Sequence, residues 1–144
     1  MRTILVIDDD ADFRAYMETL LERQGYHVVA LAGARNLARV VRDRQVDAVI
    51  TDLYMPQVDG LEVVTFFNRY DPQLPVFGVT GSASESDQVC ARAMTIFGAR
   101  EVFTKPLDSA LLLAALARAL KHTADDAQGV LNLEFADEEE TLAR

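Results

Sequence analysis

Short apolar runs alternate along this chain with longer segments whose apolar residues recur at helical spacing. Ile4-Leu5-Val6-Ile7 is apolar without a break, the pattern of a strand covered on both faces. Phe13, Tyr16, Met17, Leu20 and Leu21 follow in helical phase, and Gly25 supplies a stop. The cycle then repeats. A strand over 26–31 precedes a helix through Leu37, Val40 and Val41. A strand over 46–51 precedes a helix over 60–70, with Leu61, Val64 and Phe67 in phase. A strand over 75–80 precedes a helix over 84–97, with Val89, Ala93, Met94 and Phe97 turned inward and Gly98 just beyond. A short strand over 101–104 and an Ala/Leu-rich helix over 107–120 complete the pattern.

Five βα units in succession predict an α/β fold with a five-stranded parallel sheet, right-handed crossovers and helices on both faces. Such a three-layer (βα)5 sandwich suits the flavodoxin-like strand order 2-1-3-4-5. Half of the 144 residues are hydrophobic, enough for a full core in one domain. We place that domain at 1–122. Residues 123–144 differ: seven acids and one base give −6, against −3 for sixteen acids and thirteen bases before them. Leu131, Leu133 and Phe135 alternate there with Asn132 and Glu134. The expectation is an acidic, flexible tail, or an arm that docks on this protein, a second copy or an output partner.

Charge and composition exclude several classes. The net charge of −9 comes without a basic stripe, so direct nucleic-acid binding is not expected. No apolar run approaches ~18 residues, so no membrane span is expected. Met1-Arg2-Thr3 enters a strand at once, unlike a signal peptide. Cys90 is the one cysteine, which excludes an intramolecular disulfide, fits a reducing cytoplasm and reads as a small core residue. His27 and His122 have no sequence companions that suggest catalysis.

Ligands of an open parallel sheet bind beyond the carboxyl ends of its strands, near the switch in strand order. Strand one ends there in Asp8-Asp9-Asp10, strand three in Asp52, strand four in Thr80 and strand five in Lys105. Adjacent strands lie ~4.8 Å apart, so these groups can share a pocket. Clustered carboxylates raise one another's pKa and destabilise the fold unless neutralised. Asp8, Asp9 and Asp52 against Lys105 leave a deficit that a divalent cation fills. An all-oxygen donor set selects Mg²⁺ or Mn²⁺ over zinc. Asp10 and Asp12 read better as caps of the first helix. Taken singly, Asp52 also reads as a turn residue before Met55-Pro56, and Lys105 as a surface lysine before Pro106. Neither explanation accounts for the meeting of all these groups at the ends of four strands.

The stretches "VIDDD", "DLYMPQVDG", "VTG" and "TKP", in that order, resemble the receiver domains of bacterial two-component response regulators over residues 2–121. The resemblance implies a single-domain response regulator in phosphorelay signalling. Asp52 would accept a phosphoryl group from a histidine kinase or phosphotransfer protein. Asp8, Asp9, Asp52 and the backbone carbonyl of Tyr54 would hold Mg²⁺. Lys105 would offset phosphoryl charge, Thr80 would donate its hydroxyl, and Gly81 would leave the approach open. Pro106 would follow through a cis bond. The Asp59-Gly60 pair would serve the turn into the third helix. Such a protein catalyses its own phosphoryl transfer and dephosphorylation without turning over a foreign substrate. It would signal by protein contact, with a kinase on the first-helix face of Ala11, Arg14, Ala15 and Glu18, with a downstream target, or with a second copy as a homodimer.

One position departs from the family. Many receivers carry a switching aromatic three residues before the lysine, where this chain has Val102. A β-branched side chain has little χ1 freedom, and strand alternation points Phe103 to the other face. The aromatic switch is therefore not expected here. The alternative reading is a pseudo-receiver, an interaction module not regulated by phosphorylation. A phosphatase or phosphotransferase with an Asp-x-Asp nucleophile is disfavoured, because Asp52-Leu53-Tyr54 lacks the second acid. A flavodoxin-type cofactor binder is disfavoured because acids, not a Ser/Thr/Gly-rich loop, follow strand one.

Overall fold

A computed structural model describes residues 1–55, 60–81 and 85–121, with the side chains of 85–87 excepted. Expectations placed on Pro56, Asp59, Ser84, His122 and the acidic segment 123–144 lie outside the described residues.

The elements alternate as the periodicity requires: β1 (Thr3–Ile7), α1 (Ala11–Arg23), β2 (His27–Leu31), α2 (Leu37–Arg44), β3 (Ala48–Asp52), α3 (Gly60–Tyr70), β4 (Val76–Thr80), α4 (Glu85–Ile96) and β5 (Glu101–Thr104). A fifth helix, α5, covers 109–121. The sheet order is β2-β1-β3-β4-β5, and every pairing is parallel. Boundaries differ from the sequence expectation by two residues or fewer at strand ends. The difference that matters is in β3, which runs on to include Asp52.

Strand alternation divides the core in two. Leu5, Ile7 and Val49 face α2, α3 and α4, where they meet Leu37, Val41, Phe67 and Met94. Ile4, Val6 and Ile50 face α1 and α5, where they meet Met17, Leu21, Leu112 and Leu116. Each fully buried side chain of this size contributes ~1.5–3 kcal/mol of transfer free energy. β1, β3 and β4 are buried along their whole length, which explains their unbroken apolar runs. The strand rim is thus a rigid mount.

The fourth helix turns differently from the expectation. Val89 is 60% exposed and Phe97 49% exposed, so neither packs inside. Met94 is buried, as expected, and Cys90 packs half-buried beside it on the same side. Gly78 in β4 explains this choice. A Cβ there would lie 2.7 Å from Met94 Cε and 3.2 Å from Val102 Cγ2. The missing side chain leaves a space that the methionine fills.

Candidate functional site

β1 and β3 are neighbours with Ile7 opposite Thr51, so Asp8 and Asp52 leave the sheet side by side. β3 and β4 pair with Asp52 opposite Val79, which puts Thr80 one residue further along the rim. β4 and β5 pair with Thr80 opposite Thr104, and Lys105 comes next. The backbone N–H of Lys105 donates to the carbonyl of Thr80 at 2.7 Å. Register alone therefore brings together the groups that the sequence placed at four strand ends.

Carboxylate oxygens of Asp8, Asp9 and Asp52 lie within 4.8 Å of one another. Asp8 is only 1% exposed. Its buried charge is matched by Lys105, whose Nζ donates to Oδ2 at 3.0 Å. Its Oδ1 accepts from the Asp10 N–H at 2.8 Å. Asp9 stands exposed at the mouth. Asp52 is 8% exposed, and burial and then the Asp8 charge push its carboxyl up from 3.8 to about 6. Lys105 pulls the other way, and Asp9 adds to the rise. A carboxyl that is expensive to ionise, beside two further acids and one ammonium, is a site short of positive charge. The donors are all oxygens, so the residues present fit Mg²⁺ or Mn²⁺.

The caps and turns behave as their chemistry requires. Asp10 is the N-cap of α1 and accepts from the N–H groups of Asp12 and Phe13, so it stands outside the acid cluster, as expected. Gly60 opens α3 against the end of β3 itself. Its N–H donates to the Leu53 carbonyl at 2.7 Å, and a Cβ there would lie 2.5 Å from the Asp52 carbonyl oxygen. Gly81 is exposed with open space around it. Lys105-Pro106 is a cis peptide bond. Thr80 is buried at the rim, and Tyr54 is half-exposed with its hydroxyl 3.7 Å from Cys90 Sγ.

Two contacts were not foreseen from sequence. The Lys105 ammonium lies 4.1 Å from the ring centroid of Phe13, a cation–π contact that holds it in addition to the ion pair with Asp8. Arg14, expected on the kinase-facing side of α1, turns its Nη1 to the Asp8 carbonyl at 2.7 Å. Their signal was positional. Both sit in the first turn of the helix that starts at the acids.

An acidic pocket at the switch point of a 2-1-3-4-5 parallel sheet, with a lysine across it, defines a phosphoaspartate signalling module of the flavodoxin-like class. Residues 4–117 match the response regulator receiver domain family, and the chain belongs to it. It is 34% identical over 120 residues to the transcriptional regulatory protein ZraR of Escherichia coli O157:H7, covering 83% of this chain and 26% of that protein. It is 34% identical over 122 residues to the transcriptional regulatory protein GlrR of Escherichia coli strain K12, covering 84% and 27%. The chain thus spans about a quarter of the length of these curated relatives. Among solved structures, a response regulator receiver domain protein from Clostridium thermocellum aligns with TM-score 0.78 at 27% identity, over 86% of this chain and 98% of that one. Receivers are signalling modules that interact with histidine kinases, and acid clusters of this kind are their Mg²⁺ sites. Among the described residues no helix is long and apolar enough to cross a membrane.

Proposed function

We propose that Asp52 is the phosphoacceptor of this receiver. The observation that carries the reading is the clustering of Asp8, Asp9 and Asp52 within 4.8 Å, with the Lys105 ammonium 3.0 Å from Asp8. An Asp52 carboxylate oxygen attacks phosphorus as the phosphohistidine P–N bond breaks. The bonding pair stays on the imidazole nitrogen, which takes up a proton. Asp8, Asp9, Asp52 and the Tyr54 carbonyl would hold Mg²⁺ or Mn²⁺. When bound, the cation supplies charge that offsets the phosphoryl oxygens. Lys105, held by Asp8 and by the Phe13 ring, directs its ammonium to the same oxygens. Thr80 donates its hydroxyl to the phosphoryl group once formed. The kinase or phosphotransfer protein docks beside the rim, over exposed Ala11 and Ala15 of α1. A downstream protein, or a second copy, reads the phosphorylated state in the cytoplasm, and no foreign substrate is turned over.

Val102 favours a second reading, an interaction module that works without phosphate, because no swinging ring stands there to report on Thr80. Incubation with a small phosphodonor, with and without Mg²⁺, followed by intact mass separates the two. We expect a Mg²⁺-dependent phosphoryl adduct that Asp52→Asn abolishes. An adduct that persists in the variant moves the acceptor elsewhere, and no adduct with wild type favours the second reading.

A further inference from the structure

Away from the acid pocket, α2 and α3 form an open groove on the side of the sheet opposite α1 and α5. A hollow of ≈ 570 Å³ lies between the two helices, and a second of ≈ 550 Å³, lined by α3 alone, continues it through the shared Glu62 and Phe66. On α3, Leu61, Phe66 and Tyr70 supply an apolar surface, with the last two rings stacked at 5.8 Å, beside Glu62, Thr65 and Arg69. The facing side comes from Leu37, Ala38, Arg39 and Arg42 of α2.

The charge of this groove is opposite to that of the rest of the molecule. Residues 35–44 carry Arg35, Arg39, Arg42 and Arg44 against Asp43 alone, a net +3 in a chain of net −9. The Asp43 carboxylate is shared, 3.7 Å from Arg39 Nε and 3.2 Å from Arg42 Nε. Among the described residues Arg44, and Arg69 on α3, form no ion pair. Glu62 is the one acid on α3. An apolar floor rimmed by guanidinium groups fits an extended segment that is apolar on one side and acidic at one end.

This chain carries such a segment. Residues 131–140 contain Leu131, Leu133 and Phe135 at strand alternation, then Asp137 and Glu138 to Glu140, with no base. We propose that the groove between α2 and α3 is the docking site for residues 131–140 of the same molecule. The lengths agree. Leu131 to Phe135 spans ~13 Å when extended, and Leu61 to Tyr70 spans ~13 Å along α3.

The point of departure agrees as well. Arg2 bridges the end of α5 and the start of β3: Nη2 donates to the Leu120 carbonyl at 3.5 Å, and Nη1 lies 3.7 Å from Asp47 Oδ1. Asp47 stands just past the C-terminal end of α2, where Arg42 and Arg44 lie. The chain therefore leaves α5 level with the C-terminal end of α2, on the opposite face of the sheet. Crossing the layers takes ~20 Å at ~10 Å per packed layer. Residues 122–130 reach ~30 Å at ~3.3 Å each.

Chymotrypsin, which cuts after large apolar residues, tests this on the full chain at low protein concentration. Four proteins are compared: wild type; Arg39→Glu with Arg42→Glu; Glu138→Lys with Glu139→Lys and Glu140→Lys; and all five changes together. We expect cutting after Leu131, Leu133 and Phe135 to be about tenfold slower in wild type than in either singly reversed protein. The five-fold variant should regain the protection. The lysine variant alters nothing in the described fold, so it reads docking without a folding effect. Equal cutting in all four proteins overturns the proposal, as does a five-fold variant that stays fast. Protection that rises with protein concentration together with a doubled mass also overturns it, since the segment then lies on a second copy.

Discussion

Replacing Asp52 by Asn should stabilise the metal-free protein. Burial and the neighbouring Asp8 charge raise the Asp52 carboxyl from 3.8 to about 6. The folded state therefore prefers the protonated acid. That preference favours folding fully below pH ~4 and is lost as pH rises through ~6, where the buried carboxylate must ionise. A rise of this size costs the folded protein about 3 kcal/mol at neutral pH. The carboxyl lies at the rim, where nearby solvent screens part of this. Asn keeps the size and carries no charge to bury. The net gain should be about 2–3 kcal/mol, which raises the melting temperature by about 5–10 °C for a domain of this size.

The assay is urea and thermal unfolding of both proteins in EDTA from pH 4 to pH 8. All other acids titrate in both, so the difference isolates position 52. It should be near zero at pH 4, grow through pH 5–6 and level off above. A variant no more stable than wild type at pH 7 refutes the reasoning, as does a gap that ignores pH. Adding Mg²⁺ should then narrow the gap, because wild type gains binding free energy that the variant largely lacks.

Phe13→Leu should slow adduct formation about three- to tenfold by freeing the Lys105 ammonium, while Phe13→Tyr stays near wild type; equal rates in all three remove the ring from the site. Gly60→Ala sets a methyl group 2.5 Å from one backbone atom and 2.8 Å from another. It should cost about 2–3 kcal/mol in urea unfolding and slow adduct formation, because the carbonyl it strikes belongs to Asp52. Gly78→Ala meets only side-chain atoms, first the Met94 methyl group at 2.7 Å. It should cost about 1 kcal/mol, and a loss as large as that of Gly60→Ala would contradict the difference between yielding and rigid neighbours.

The fold was legible because parallel strands buried on both faces must be apolar throughout, and β1, β3 and β4 are. The site was legible for a related reason. In such strands the first charged residue marks the rim, so Asp8, Asp52 and Lys105 announced their own positions. The facing of α4 was legible only in part: Met94 is inside as expected, and Val89 and Phe97 are not. Val89, Ala93 and Phe97 form one apolar stripe at helical spacing, and Cys90 with Met94 forms another. Periodicity cannot choose between two stripes on one helix. The choice rests on the space over Gly78, a property of a strand distant in sequence. Phe13 was missed for a different reason. An aromatic residue in phase with Met17 and Leu20 reads as core, and its face toward Lys105 exists only once β5 has been placed beside β4.

The same arrangement bears on how the site communicates. Phe77 and Val79 face α5, so Gly78 and Thr80 face α4, and their β5 partners Val102 and Thr104 face it too. Phe103 points the other way, 6.3 Å from the Phe77 ring, as strand alternation demanded. No aromatic ring from β5 therefore lies on the Thr80 side of the sheet. Val102 has little torsional freedom there. Met94, with three rotatable bonds over the gap at Gly78, has a great deal. One helical turn earlier, Cys90 touches the Tyr54 hydroxyl on the loop that follows Asp52. The ends of β3 and β4 thus both abut one face of α4, through side chains that adjust by repacking. In this receiver a displacement at the rim meets a soft thioether and a sulfhydryl rather than a pivoting ring. Val89 on the same helix and Phe97 just past its end are exposed.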